Sequence, residues 1–232
     1  MSKILIEKHS GVFVLRDDIL AGGTKSILMP SIVGNAKEYV YCSPVYGGFQ
    51  VALSDYCAKY NKKATIFCAA RKKKHTNTLK CIELGANVVE VLYGYMSVLE
   101  SRAREYCNAN NAHKIVFGAS SVENINIITG RVKKVIETLG FEPDEIWVAI
   151  GSGTLVKAIL KGTTHSIVNG VQVGKVFLDT HKRLNVYKYP KPFDKVSKFK
   201  APFQSMPNYD LKAYEFCVKH KQGENVLFWN VL

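Results

Sequence analysis

The chain lacks the usual signatures of a metal site, a membrane span or a disulfide scaffold. Its six cysteines, Cys42, Cys57, Cys68, Cys81, Cys107 and Cys217, form no C-x-x-C pair. Several lie in apolar strand or helix patterns, which favours buried or free thiols in a reducing compartment over disulfides or zinc. No His, Asp or Glu cluster shows metal-ligand spacing, so no metal is assigned. No apolar run approaches membrane-spanning length, and the opening MSKILIEKHSG has no long hydrophobic region after its lysine. A soluble, unexported, cytoplasmic protein is expected. Acidic residues are scarce: 19 Asp and Glu stand against 32 Lys and Arg, a formal net charge of +13. That excess favours polyanionic partners and says nothing about fold. No G-x-G-x-x-G follows the first strand pattern, which argues against NAD binding.

What the 232 residues do have is alternation, with 47% apolar residues, enough for one sizeable core or two small lobes. Strand patterns at 38–43, 63–69, 87–94, 113–119 and 144–153 alternate with helical patterns at 48–61, 76–86, 96–110, 129–141 and 154–162. A strand at 175–180 (KVFLDT), a long loop over 182–207, a helix at 209–220 and a terminal strand at NVLFWNVL complete the reading. This cadence predicts an α/β fold with parallel strands joined by crossover helices.

Four short stretches could carry chemistry. In IWVAIGSGTLVKAI a buried strand runs into Gly151, Ser152, Gly153 and Thr154, and a helix begins at once. Glycines let the backbone approach a ligand, and helix N–H groups with two hydroxyls make an anion site suited to phosphate. An ordinary strand-to-helix turn with a Ser or Thr cap has the same appearance. No Lys-Ser/Thr pair follows, so this is not a P-loop. In AGGTK, Lys25 follows Gly22, Gly23 and Thr24. A lysine becomes a nucleophile where desolvation or positive surroundings lower its pKa, although most lysines are surface charges. SPVYGGFQVA (43–52) lies where a strand ends and a helix starts, where α/β proteins place ligands. PNYDLKAYEF (207–216) sets Tyr209 beside Asp210 before a helix, which reads equally as an N-cap beside a packed aromatic.

In their order these four elements resemble the pyridoxal-phosphate (PLP) enzymes of fold type II, the tryptophan-synthase-β-like group. The branch they are most similar to is that of aminocyclopropane-carboxylate deaminase and D-cysteine desulfhydrase. AGGTK resembles the branch's Gly-Gly-x-Lys, which makes Lys25 the lysine that forms the Schiff base with PLP. GSGT resembles the phosphate-cradling loop, TNTLKCIELGANVVEV a stretch of the smaller domain, and NYDLKAYEF the Tyr-bearing segment near the C-terminus. The resemblance runs from about Val14 to Trp229. It implies a two-lobed, three-layer parallel-sheet fold, with 1–36 plus 129–232 as the larger cofactor-binding lobe and 37–128 as the smaller. It also implies a homodimer. Asp210 falls where the branch places the residue facing the pyridine nitrogen. Tyr209 becomes the second acid/base beside Lys25 as the main proton shuttle. Tyr46, Gly47 and Gly48 would adjoin the ring, with Tyr46 standing where members usually have an asparagine. Ile27 replaces the usual arginine two residues after the lysine.

Two stretches concentrate the basic charge. Arg71, Lys72, Lys73 and Lys74 follow a strand end. Lys182, Arg183, Lys188, Lys191, Lys195, Lys198 and Lys200 alternate with Tyr, Phe and Pro. Basic groups interleaved with aromatics suit nucleic-acid contacts, and also suit a solvated loop packing its rings on a core. The resemblance implies a PLP-dependent lyase, decarboxylase or deaminase acting at the α-carbon of an amino-acid group. Compact enzymes similar to this group occur in viral pathways that decorate DNA bases. With the cationic surface, that makes an aminoacyl-modified pyrimidine in DNA one expected substrate and host cytoplasm one expected location. Free small amino acids are the alternative substrates, and a non-catalytic nucleic-acid-binding relative is the alternative class.

Overall fold

A computed structural model describes residues 3–92, 94–116, 121–174 and 176–232. In chain order the strands are β1 (Ile6–His9), β2 (Val12–Arg16), β3 (Glu38–Cys42), β4 (Lys63–Ala69), β5 (Asn87–Val91), β6 (His113–Ile115), β7 (Glu145–Ile150), β8 (Ile167–Gln172), β9 (Leu184–Lys188) and β10 (Val226–Asn230). The α-helices are α1 (Met29–Ile32), α2 (Phe49–Lys59), α3 (Thr76–Glu83), α4 (Met96–Asn110), α5 (Val122–Leu139), α6 (Thr154–Gly162) and α7 (Asp210–His220). The chain divides into two compact units, Met1–Ile19 with Ser120–Leu232, and Leu20–Ala119. The division drawn from the sequence places both boundaries further along the chain.

The first unit holds a six-stranded sheet in the order β1-β2-β10-β7-β8-β9. Only the β1–β2 pair is antiparallel. Side chains alternate between its faces with period two. Val12, Val14, Trp147, Ala149, Val226 and Phe228 meet Ala213, Tyr214 and Cys217 of α7 on one side. Leu15, Ile146, Val148, Ile150, Leu227 and Trp229 meet Val132 and Val135 of α5 and Val156 and Ile159 of α6 on the other. Helices on both faces explain why these strands read as continuous apolar runs. Arg131 of α5 reaches through this layer to the buried Asp17, with its Nε 3.0 Å from each carboxylate oxygen, and Trp229 Nε1 donates to the same carboxylate.

The second unit holds a fully parallel sheet, β5-β4-β3-β6. Leu99 and Ala103 of α4 cover Val40, Cys42 and Phe67. Tyr41 points the other way and meets Phe49 of α2, with ring centres 4.4 Å apart. Both units are therefore three-layered α/β structures. Among the described residues no helix is long and apolar enough to cross a membrane, and all six cysteines are free.

Several regions differ from the sequence reading, which names no element before residue 38, where β1, β2 and α1 lie. Residues 176–180 of KVFLDT form no strand, while Lys175 lies outside the described residues. The strand is β8, in SIVNGVQV, where Asn169-Gly170 has the look of a turn. Gly170 is there because Ile150 of β7 fills its place: a Cβ would stand 2.4 Å from Ile150 Cδ1. The expected loop at 182–207 contains β9, an edge strand whose Asn185 and Lys188 are exposed, so its apolar pattern is too short to show. Helix α5 begins earlier than the expected residue 129, because Ser121 caps it by accepting from Asn124 N at 3.2 Å. The end of the expected strand 113–119 and residue 93 of 87–94 lie outside the described residues.

Candidate active site

In the first unit the site residues gather at the carboxyl ends of the strands, the edge where open α/β sheets bind ligands. β7 ends at Ile150, and Gly151, Ser152 and Gly153 turn the chain into α6 at Thr154. Gly153 has φ 80°. A Cβ there would lie 2.1 Å from Phe177 Cε2, so the loop is both left-handed and tightly covered. The Ser152 and Thr154 hydroxyls are 3.0 Å apart. Together with the first-turn N–H groups of α6, which no helical carbonyl can satisfy, they form a donor-rich cradle for an anion.

Tyr209 and Asp210 approach the same edge. Tyr209 Oη donates to the Ala149 carbonyl at 3.3 Å. Burial, reinforced by the Asp210 charge, raises its pKa, so at neutral pH the phenol keeps its proton. Asp210 opens α7 and is fully buried. Its Oδ2 accepts from Leu232 N at 2.8 Å, while Oδ1 has no hydrogen-bond partner among the described residues. Burial pushes this carboxyl well above the usual carboxylate range, against the pull of the Leu232 and Val231 N–H groups. Asn208 Nδ2, two residues earlier, is likewise buried without a partner among the described residues. The turn is tied down by Met206 N donating to Leu232 O at 2.9 Å and Leu211 N to Met206 O at 3.1 Å. The sequence holds no hint of Asn208, because nothing in its pattern separates a buried amide from an exposed one.

In the second unit Lys25 lies on a 3-10 turn, Gly23–Leu28. Gly22 before it has φ 78°, and a Cβ there would fall 2.4 Å from both Gly48 O and Ala52 N. The Lys25 turn is thus pressed directly onto the start of α2, beside Gly47 and Gly48. Burial lowers the Lys25 pKa, moving the ammonium toward the neutral amine a nucleophile needs. Tyr46 stands at the same turn. His75 meets its ring edge-on at 4.9 Å, and the Arg71 guanidinium lies 5.5 Å from its centre. Burial and then Arg71 lower the His75 pKa, and its Nδ1 accepts from Asn77 N.

Gln50 is what shapes this turn, and the sequence offers only a polar residue on an apolar helix face. Its Nε2 donates to the carbonyls of Pro44, Val45 and Gly47 at 3.0–3.2 Å. Asn77 Nδ2 adds a bond to Gly47 O at 3.3 Å.

Arg71, Lys72, Lys73 and Lys74 are exposed after β4, with Lys74 paired to Glu90. Lys182, Lys188, Lys191, Lys195, Lys198 and Lys200 are exposed as expected. Arg183 departs from that set. Its guanidinium donates to Thr163 Oγ1, Ser166 O, Leu160 O and Thr163 O at 2.7–3.0 Å. It caps the end of α6 and is spent on structure.

The family model for pyridoxal-phosphate dependent enzymes matches residues 8–181. No curated protein matches significantly. Solved structures share the fold. An ACC deaminase homologue superposes with TM-score 0.74 at 18% identity, over 95% of this chain and 83% of its own. O-ureido-L-serine synthase gives 0.72 at 9% identity, over 99% and 87%. A hydrogen sulfide-producing enzyme from Fusobacterium nucleatum gives 0.70 at 11% identity, over 99% and 94%.

Proposed function

Because this chain belongs to the pyridoxal-phosphate-dependent enzymes of fold type II, we propose that Lys25 anchors the cofactor and that the reaction occurs at the α-carbon of an amino-acid group. Asp210 is the observation that carries the assignment. A buried carboxyl with one oxygen unpartnered among the described residues is costly in the protein alone, and a protonated ring nitrogen would relieve that cost. The cradle of Gly151, Ser152, Gly153 and Thr154 suits the phosphate group for the reasons of helix polarity and hydroxyl donors. The residues present fit the cofactor at both ends.

When bound, the cofactor supplies an electron sink for charge developing at the substrate α-carbon. Lys25 Nζ, held toward its neutral form by burial, takes up and returns the proton at that carbon. Tyr209 Oη, protonated at neutral pH, is the second proton donor. Asp210 Oδ1 would hold a proton at the ring nitrogen, which would strengthen the sink. Tyr46, Gly47 and Gly48 would adjoin the ring, with Tyr46 packed against His75 and Arg71 where the family resemblance leads one to expect an asparagine.

The substrate we propose is an amino-acid group carried on a pyrimidine of DNA, decarboxylated or deaminated in place by a homodimer. The net charge of +13 and the aromatic Tyr46 in place of a small amide support it. In the decarboxylation the Cα–carboxylate bond breaks, carbon dioxide leaves, and a proton from Lys25 or Tyr209 takes its position.

The test starts with colour. The purified protein should be yellow, borohydride should fix the chromophore on the Lys25 peptide, and Lys25→Ala should abolish both the fixation and turnover. A colourless protein that added pyridoxal phosphate does not restore overturns the assignment. Turnover of free small amino acids in preference to modified DNA at moderate salt overturns the substrate.

A further inference from the structure

The segment from Lys182 to Lys200 carries seven Lys and Arg residues and one Asp. In the sequence its lysines and aromatics are interleaved. The structure separates them by burial. Tyr189, Phe193, Phe199 and Phe203 turn inward onto the core beneath α7. The Phe203 and Tyr214 ring centres are 4.7 Å apart, Tyr189 and Phe216 5.6 Å, Phe199 and Tyr214 5.9 Å. Lys188, Lys191, Lys195, Lys198 and Lys200 of the same segment remain exposed.

The segment is fastened, so its charges are held in place. Lys212 of α7 is fully buried and donates to the Pro192 and Phe193 carbonyls at 2.9 and 3.3 Å. Glu215, one turn on, accepts from Tyr189 Oη and Ser197 Oγ at 2.9 Å and from Lys219 at 2.7 Å. Ser197 N donates to Pro207 O at 2.8 Å. Glu215 is therefore consumed internally. The segment's own acid, Asp194, lies 3.7 Å from Lys195 and can offset only a small part of the positive charge around it.

We propose that this fastened lysine layer docks the phosphate backbone of a nucleic-acid duplex. Proteins that hold single strands offer exposed aromatic faces for base stacking. Here the rings are committed to the core, and what faces outward is mostly lysine, with only Val186 and Val196 as exposed large apolar side chains. A duplex keeps its bases stacked on one another and presents phosphates, which is the ligand such a surface matches. The layer reads no sequence, since it has nothing to place in a groove. This rests on the reading that the substrate is borne on nucleic acid, and deepens it by naming where the polymer is held.

The test compares the wild type with a variant carrying Lys191→Gln, Lys195→Gln, Lys198→Gln and Lys200→Gln. The probes are a 30-bp duplex DNA of arbitrary sequence, one of its single strands, and phosphatidylserine vesicles. The wild type should prefer the duplex, with affinity falling steeply as salt rises. Every phosphate that the variant no longer neutralises should make the slope of log K against log salt shallower by about 0.9. The variant should bind the duplex at least about tenfold more weakly at low salt. Its melting temperature and its borohydride-fixed chromophore should be unchanged, because the four lysines are exposed. Equal duplex binding by variant and wild type overturns the proposal, as does a preference for single strands or vesicles. If the duplex binds as expected while modified bases go unprocessed, the surface stands and the substrate reading fails.

Discussion

Asp210 puts a carboxyl where solvent does not reach and leaves one of its oxygens without a hydrogen-bond partner among the described residues. Burial raises its pKa in the folded chain above the ordinary value of 3.8. The folded state then binds the proton more tightly than the unfolded state, so this group's contribution is favourable at low pH and declines as pH rises above about 4. Asp210→Asn removes the ionisation while keeping the shape. The cofactor-free variant should melt higher than the wild type at neutral pH, with the gap closing below pH 4 in a melting series. With cofactor bound, the order reverses: turnover should drop by about 10²–10³-fold, the scale of losing one aimed electrostatic partner, and the chromophore's absorption should shift. A residue that merely packed would change both in the same direction. Lys25 and the Gly151–Thr154 loop are readable in the sequence because glycine, lysine and hydroxyl residues in a fixed order leave a trace. Gln50 and Asn208 are not, since their importance lies in which carbonyls they reach or fail to reach.

Among elements, the loop between β7 and α6 is the one whose shape is forced. Gly153 combines a left-handed backbone with Phe177 lying against its Cα. Gly153→Ala should destabilise the protein by about 1–3 kcal/mol, measured by urea unfolding. It should also weaken retention of pyridoxal phosphate on dialysis, because the cradle cannot keep its form. At the opposite end of the sheet, Glu142 gathers the chain entering β8. Burial works against its ionisation, yet the Ser166 and His165 N–H groups and the Thr164 and Ser166 hydroxyls hold its pKa down to about 2. A depressed folded value means stability is fully present above the unfolded value, near 4.5, and is lost as pH falls from there toward 2. Glu142→Gln should flatten the acid side of the stability profile in that window, followed by circular dichroism. Most elements are legible from periodicity: β4, α4 and α6 match the sequence reading residue for residue. β8 and β9 are not, nor are β1 and β2, which the sequence reading passes over. The β8 and β9 signals are broken by Gly170, whose reason lies in Ile150 of another strand, and by the exposed side of an edge.

On the scale of the whole molecule, net charge and strand order act independently. The charge of +13 is plain in the composition, whereas the inward or outward direction of each basic residue is not. Arg183 shows the difference, being a capping group inside a run that reads as surface. Strand order carries a further lesson. β10 is the last strand of the described chain, yet it lies in the middle of the six-stranded sheet, between β2 and β7. Deleting residues 222–232 should therefore leave the first unit unable to fold, seen as loss of cooperative melting. Among the described residues, β10 is the strand through which the β1–β2 pair is hydrogen-bonded into the sheet with β7, β8 and β9.

The same placement bears on how the protein comes into being. During synthesis, β1 and β2 leave the ribosome long before β10 and wait, with apolar faces uncovered, until the elements between them have followed. No native sheet can close across them before Val226–Asn230 emerges. The first unit's assembly is thus timed by its end, and a translating cell must shelter its beginning for that whole interval.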